Sequence, residues 1–131
     1  MQAHIDAIGV VAKDLKQTLD FYTLLGFTFT HIGDGDHFEA VQENGLRLMI
    51  DTEKLLMSLG QPAATPASYS TFALKLETAG ELNELAQKIK DAGHEIVMEP
   101  QDMFWGQRYA TILDPNGNRI DLFAWLGQTP E

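Results

Sequence analysis

The sequence of 131 residues contains no cysteine. Disulfide bridges, thiolate metal sites and cysteine nucleophiles are therefore excluded, and the chain is suited to a reducing compartment. It also has no apolar run of membrane-spanning length, and no N-terminal basic segment followed by an apolar run. We therefore expect a soluble, cytoplasmic protein without membrane contact.

Basic residues are few: the chain has nine Lys and Arg and nineteen Asp and Glu, which gives a formal net charge of −10. The nine are scattered along the chain, whereas phosphate binding requires clustered Lys and Arg. We therefore exclude nucleic acid and anionic membranes as partners. The charge favours solubility, and attraction of a cationic ligand is the alternative interpretation.

One order of predicted elements occurs twice along the chain. In the first half a strand at 5–11 precedes a helix that Asp14 caps and Gly26 ends, and three strands follow at 27–32, 37–41 and 46–50. The second half repeats this order with a strand at 71–76, a helix at 81–92 and strands at 95–98, 109–113 and 119–123. This pattern predicts one α+β domain of two βαβββ modules over residues 1–131. Module one covers 1–51, a linker 52–69 and module two 70–126.

Two motifs carry a resemblance to a known family. The segment 14–27, DLKQTLDFYTLLGF, is followed much later by 114–123, DPNGNRIDLF. In this order they resemble the vicinal-oxygen-chelate superfamily, which includes glyoxalase I, extradiol dioxygenases, fosfomycin-resistance enzymes and bleomycin-resistance proteins. The resemblance covers nearly the whole chain. It implies the glyoxalase/bleomycin-resistance fold, a curved mixed sheet that forms a cup for a small organic ligand, and a homodimer.

Metal-dependent members of that family place four ligands on the first and last strands of the two modules. The resemblance puts these positions at Ala7, Met49, Thr71 and Asp121. Ala, Met and Thr are poor ligands for a hard divalent cation, so we predict no metal and no other cofactor. The histidines, interpreted as surface or strand-end residues, fall elsewhere: His4, His31, His37 and His94.

Strand alternation and loop position select the side chains that line the predicted cup. The candidate ligand-binding residues are Phe38, Arg47, Met49, Thr71, Phe104, Trp105, Tyr109, Arg119, Asp121 and Phe123. Arg47 and Arg119 either bind an anionic or carbonyl group of the ligand or pair with Asp51 and Asp121. Phe104 and Trp105 either stack on a flat ligand or cover the core or a subunit contact.

These residues favour a metal-free binding protein, closest in character to bleomycin-resistance members, that sequesters an antibiotic or another flat organic molecule. The alternative is a divalent-metal-dependent lyase, isomerase or dioxygenase of the same superfamily with an unusual ligand set. A third hypothesis is metal-free acid–base catalysis, for which Asp121 is the candidate catalytic residue together with Arg119.

Overall fold

The structure of the protein is a computed structural model that describes residues 1–65 and 71–127. The chain divides into two compact units, Met1–Thr65 and Pro66–Glu131. The boundary between the units falls within the predicted linker, 52–69. The last residues of that linker, 66–69, and the first residue of predicted module two, residue 70, lie outside the described residues. The organisation as one domain and the joint cup stay predictions.

The first unit contains a four-stranded mixed sheet. Its elements are β1 (Ala7–Ala12), α1 (Leu15–Leu24), β2 (Thr30–His31), β3 (His37–Val41), β4 (Arg47–Thr52) and α2 (Glu53–Ser58). The strand order is β1-β4-β3-β2, with β1 parallel to β4 and the other pairs antiparallel. The Asp14 carboxylate accepts a hydrogen bond from the backbone N–H of Gln17, which confirms the predicted cap of α1.

One face of this sheet packs in the core with α1. Along β4, Leu48 and Ile50 are buried, whereas Arg47, Met49 and Asp51 are only half-buried. The core side chains are Val10, Ala12, Thr18, Phe21, Tyr22, Phe27, Ala40, Leu48 and Ile50. The alternation therefore leaves the charged and thioether side chains of β4 on the opposite face.

The second strand of the first unit is much shorter than predicted. Thr30 and His31 form its ladder with β3, and the backbone N–H of Ile32 donates to the His37 carbonyl at 3.0 Å, whereas residues 27–29 do not belong to the strand. The backbone N–H of Phe27 donates to the carbonyl of Tyr22 at the end of α1, and the two rings meet edge to face at 6.1 Å. Phe27 thus belongs to the C-terminal end of α1 through its backbone and to the core through its side chain, and it does not pair with β3.

The second unit repeats the architecture. Its elements are β5 (Phe72–Lys75), α3 (Ala79–Asp91), β6 (Ile96–Asp102), β7 (Gln107–Leu113) and β8 (Arg119–Trp125). The strand order is β5-β8-β7-β6, with β5 parallel to β8 and the other pairs antiparallel. The core lies between α3 and one sheet face and consists of Leu82, Ala86, Ile89, Ala110, Ile112, Ile120, Leu122 and Ala124. The prediction of an α+β fold with two βαβββ modules is confirmed.

β6 runs to Asp102, beyond its predicted end at Met98. Pro100 lacks an N–H, which disfavours a position inside a sheet, yet β6 is an edge strand with register shifts between Ile96 and Met98 and between Met98 and Gln101. Edges and bulges are the places where a sheet tolerates proline. Within 1–65 and 71–127, no helix has the length and apolar character needed to cross a membrane.

Candidate functional site

A tight turn sets the register of the two central strands of the second sheet. The Asp114 carboxylate accepts hydrogen bonds of 2.8 Å from the backbone N–H groups of Asn116 and Asn118. Gly117 has φ +87°, a backbone conformation that favours glycine. This turn makes Asp121 the partner of Thr111 and Phe123 the partner of Tyr109 across β7 and β8.

A second turn presents two aromatic side chains just before β7. The backbone N–H of Met103 donates to the carbonyl of Gln107 at 2.8 Å, and Gly106 has φ +87°. Phe104 at the tip is 96% exposed and Trp105 is 46% exposed. The Trp105 indole N–H donates to Gln107 Oε1 at 2.7 Å, which orients the ring toward the strand that follows.

Four aromatic rings then form a continuous line, which we call the aromatic row: Trp105, Tyr109, Phe123 and Trp125. Trp105 meets Tyr109 edge to face at 5.8 Å, and Tyr109 is stacked with Phe123 at 6.4 Å and 21°. Phe123 meets Trp125 edge to face at 6.3 Å. Phe123 and Trp125 alternate with the core residues of β8, so the row lies on the sheet face away from α3, the far face.

Asp121 lies beside the row on the same face and is only 3% exposed. Its carboxylate accepts hydrogen bonds from Tyr109 Oη at 2.8 Å, Thr111 Oγ1 at 3.0 Å and Arg119 Nε at 3.3 Å. The buried carboxylate therefore has hydrogen-bond donors on both of its oxygens, and these bonds fix its orientation. Burial and then the hydrogen bond to Asp121 raise the pKa of Tyr109 to about 12, which keeps the phenol protonated.

The first unit has a charged ladder on the face of its sheet opposite the core. His37 Nδ1 lies 2.5 Å from Asp51 Oδ1, and His37 Nε2 lies 2.6 Å from Glu39 Oε2. Arg47 donates to the other Glu39 oxygen at 2.9 Å and to Asp6 Oδ2 at 2.6 Å. We call these five residues the charged ladder.

Both ring nitrogens of His37 face carboxylates, and both can donate only in the imidazolium form. The hydrogen bond to Glu39, followed by that to Asp51, raises the pKa of His37. The hydrogen bonds from His37 and Arg47 in turn lower the pKa of Glu39. The ladder thus favours the charged forms of the His37 imidazole and the Glu39 carboxyl group.

The interpretation that each arginine pairs with the aspartate of its own strand is right for Arg119 and wrong for Arg47. Arg119 and Asp121 are two residues apart, roughly 7 Å along a strand. Arg47 and Asp51 are four residues apart, roughly 13 Å, which is beyond the reach of an ion pair. Arg47 pairs with Asp6 and Glu39 instead.

The predicted ligand-binding residues fall into separate groups. In the second unit the structure brings together Trp105, Tyr109, Arg119, Asp121 and Phe123, with Phe104 in edge contact with Trp105 at 4.9 Å. Thr71 binds the Arg119 carbonyl through its hydroxyl at 2.9 Å, at the end of that same face.

In the first unit Phe38 does not join Arg47 and Met49. It is the Cα partner of the core residue Ile50, so it points to the other face, where it is stacked with His31 at 4.7 Å. Met49 is the Cα partner of Gly9 and of Glu39. The ligand-binding roles of all these residues stay predictions.

The four family metal positions do not fit a divalent ion. Ala7 and Met49 offer no oxygen or nitrogen in their side chains, Thr71 donates its hydroxyl to a carbonyl, and the one carboxylate, Asp121, already accepts three hydrogen bonds. In the part of the chain that the structure describes, no group of three or more His, Asp or Glu side chains is arranged to hold a metal ion.

Sequence reasoning missed three features of these faces. Trp125 was omitted because β8 was predicted to end at Phe123, although it continues the alternation by one more step. The alternation of His37 and Glu39 within one strand was the available signal for the charged ladder. Lys75, the Cα partner of Phe123, was not among the candidate ligand-binding residues.

Comparisons with known proteins agree with this architecture. The model of the Glyoxalase/Bleomycin resistance protein/Dioxygenase superfamily matches residues 4–122. A bleomycin resistance protein of Geobacillus stearothermophilus is 30% identical over 125 residues, which cover 86% of this chain and 90% of that protein.

Two solved structures have a similar fold. A glyoxalase/bleomycin resistance protein/dioxygenase from Nocardioides has a TM-score of 0.74 and 26% identity, and covers 100% of this chain and 89% of its own. A family enzyme of the same description from Burkholderia phytofirmans has a TM-score of 0.80 and 17% identity, and covers 95% of this chain and 100% of its own.

Proposed function

The chain belongs to the Glyoxalase/Bleomycin resistance protein/Dioxygenase superfamily, and we propose that it binds and sequesters a flat organic molecule without a metal ion. The aromatic row carries this proposal. Four rings line one sheet face, and the outermost, Trp105, is 46% exposed. Such rings stack on flat ligands, each pair contributing about 0.5–1.5 kcal/mol beyond area burial.

The burial of Asp121 and the three hydrogen bonds that its carboxylate accepts support a receptor rather than an acid–base catalyst. A general base needs a free lone pair directed at the proton that it removes. Both Asp121 oxygens accept from neighbours, and Tyr109 and Thr111 hold them from within the sheet. In this proposal Asp121 is a positioning residue that fixes the Tyr109 ring within the row.

An antibiotic is one class of ligand that the proposal includes. The 30% identical relative from Geobacillus stearothermophilus is named a bleomycin resistance protein, which is the reason to include bleomycin among the test compounds. Sequestration needs affinity and no turnover, in agreement with the poor metal ligands at three of the four family positions, Ala7, Met49 and Thr71. The cytoplasmic location and the homodimer belong to this proposal as predictions, the second to be measured by sedimentation.

Intrinsic fluorescence tests the proposal, because both tryptophans of the chain, Trp105 and Trp125, belong to the aromatic row. The protein is titrated with bleomycin and with a panel of flat aromatic compounds of different charge. We expect saturable quenching or a spectral shift with some of them, and recovery of each compound unchanged after incubation. Failure of the whole panel to alter the emission, or conversion of a bound compound to product, would overturn the proposal.

A further inference from the structure

We infer that the ligand of the aromatic row is a flat aromatic carboxylate, and that the Lys75 ammonium group receives its carboxylate. This inference rests on the proposed function of the same face. The inferred ligand is an anion, whereas the net charge of −10 by itself would favour a cationic ligand.

Lys75 lies at the side of the aromatic row. In the parallel pairing of β5 with β8 it is the Cα partner of Phe123, and Phe123 is the partner of Tyr109 on β7. Ala73 and Lys75 are exposed, whereas Phe72 and Leu74 between and beside them are half-buried. Lys75 therefore projects from the far face, one strand spacing of about 4.8 Å from the centre of the row.

The two arginines of the second sheet are each paired with an aspartate. Arg119 is bonded to Asp121 at 3.3 Å and Arg108 to Asp102 at 2.8 Å. Over residues 1–65 and 71–127, no carboxylate lies within 4.0 Å of the Lys75 ammonium group, including that of exposed Glu77 just beyond the end of β5.

Lys75 is therefore a cation beside the row that has no carboxylate within ion-pair distance among the described residues. The carboxylate of Asp121 is buried and bonded to three donors, one of them Arg119, whereas Lys75 is exposed next to Phe123. A flat ring over Tyr109 and Phe123 brings a substituent at its edge within reach of a lysine side chain. A carboxylate there gains a charge-assisted hydrogen bond, whereas a cationic group meets a like charge.

Three probes of the same shape and different charge test the inference: 2-naphthoate, 2-naphthamide and 2-naphthamidine. They are titrated at neutral pH against the tryptophan fluorescence. An ion pair with an exposed lysine contributes little, so we expect 2-naphthoate to bind up to about fivefold tighter than 2-naphthamide, with 2-naphthamidine the weakest.

Two variants separate a local effect from a general one. Lys75→Gln should make 2-naphthoate and 2-naphthamide equal in affinity. Lys88→Gln removes the same charge from an exposed position on α3 and should leave the order unchanged. Lys75→Glu should reverse the order so that 2-naphthamidine binds most tightly.

The results distinguish this inference from the proposed function beneath it. Binding of all three probes with equal affinity, tightest binding of 2-naphthamidine, or unchanged selectivity in Lys75→Gln overturns the role of Lys75 and leaves the aromatic site in place. Failure of all three probes, together with the wider panel, removes the site itself. A dimer in sedimentation whose formation excludes the probes shows that a second copy of the chain occupies the row, and this also overturns the inference.

Discussion

Tyr109 donates a 2.8 Å hydrogen bond to the buried carboxylate of Asp121, across two neighbouring strands of the second sheet. The bond joins the aromatic row to its one buried charge. In this account Asp121 positions the Tyr109 ring, a role that needs neither a metal ion nor a proton transfer. Stability, titration and ligand affinity should each reflect this bond.

Asp121→Asn should lower the free energy of unfolding by about 2–3 kcal/mol, because the amide group places N–H donors against Tyr109, Thr111 or Arg119 in a buried position. Urea denaturation measures the change. Asp102→Asn is the matched control, since that carboxylate is exposed and bonds only Arg108. Equal destabilisation by the two substitutions would contradict the account of Asp121.

Tyr109 should ionise with a midpoint near pH 12, above its ordinary value of 10.0. Because the pKa is raised in the folded state, the stabilisation from the protonated phenol is complete below pH 10 and is lost as the pH rises toward 12. The difference in tyrosinate absorbance between the wild type and Tyr109→Phe after a rapid pH jump isolates this group. A difference titration centred near pH 10 would contradict both the burial of the Tyr109 phenol and its hydrogen bond to Asp121.

The charged ladder of the first unit should make stability depend on pH. The pKa of His37 is raised above 6.5, so the stabilisation is complete below pH 6.5 and is lost as the pH rises through the folded-state value. His37→Gln should lower the free energy of unfolding by about 1–2 kcal/mol in the acidic part of this range and remove its dependence on pH. Urea midpoints over the range measure both effects, and His94→Gln is the control. A wild-type protein whose stability rises with pH over this window would contradict the ladder.

Phe123→Leu should weaken the binding of a flat ligand by about 2- to 12-fold, since it removes one stacking surface and keeps an apolar side chain. Phe29→Leu is the control, because Phe29 is half-buried in the first unit and contacts Phe27 rather than the row. Affinities come from the same fluorescence titration. Equal weakening by both substitutions would indicate a general loss of structure and count against the row as the binding surface.

Local rules of the sequence predicted most of the fold. Asp14 caps α1 because a carboxylate before an apolar helical pattern accepts the free N–H groups, and β3 occupies the predicted 37–41. β6 was predicted too short because tolerance of Pro100 depends on the strand being at an edge, which the sequence of that strand does not encode. β2 was predicted too long because Phe27, which the apolar pattern placed in the strand, packs in the core at the end of α1.

The site was predicted less completely than the fold, because it depends on register between strands. Alternation within β8 placed Asp121 and Phe123 on one face, as predicted. The alternation within β3 could have paired His37 with Glu39, but Asp51 lies on β4 and Asp6 precedes β1, and no pattern within a single strand reveals those cross-strand pairings. The proposed role of Lys75 depends on its parallel register with Phe123, which the sequence of β5 does not specify.

The central claim is that the aromatic row binds its ligand without a metal ion. The most direct measurement is a fluorescence titration of 2-naphthoate, carried out on protein as purified, after dialysis against a chelator, and after addition of zinc, nickel, manganese or iron(II). The account predicts the same affinity and stoichiometry in every case. Binding that disappears after the chelator and returns with one of these ions would contradict it.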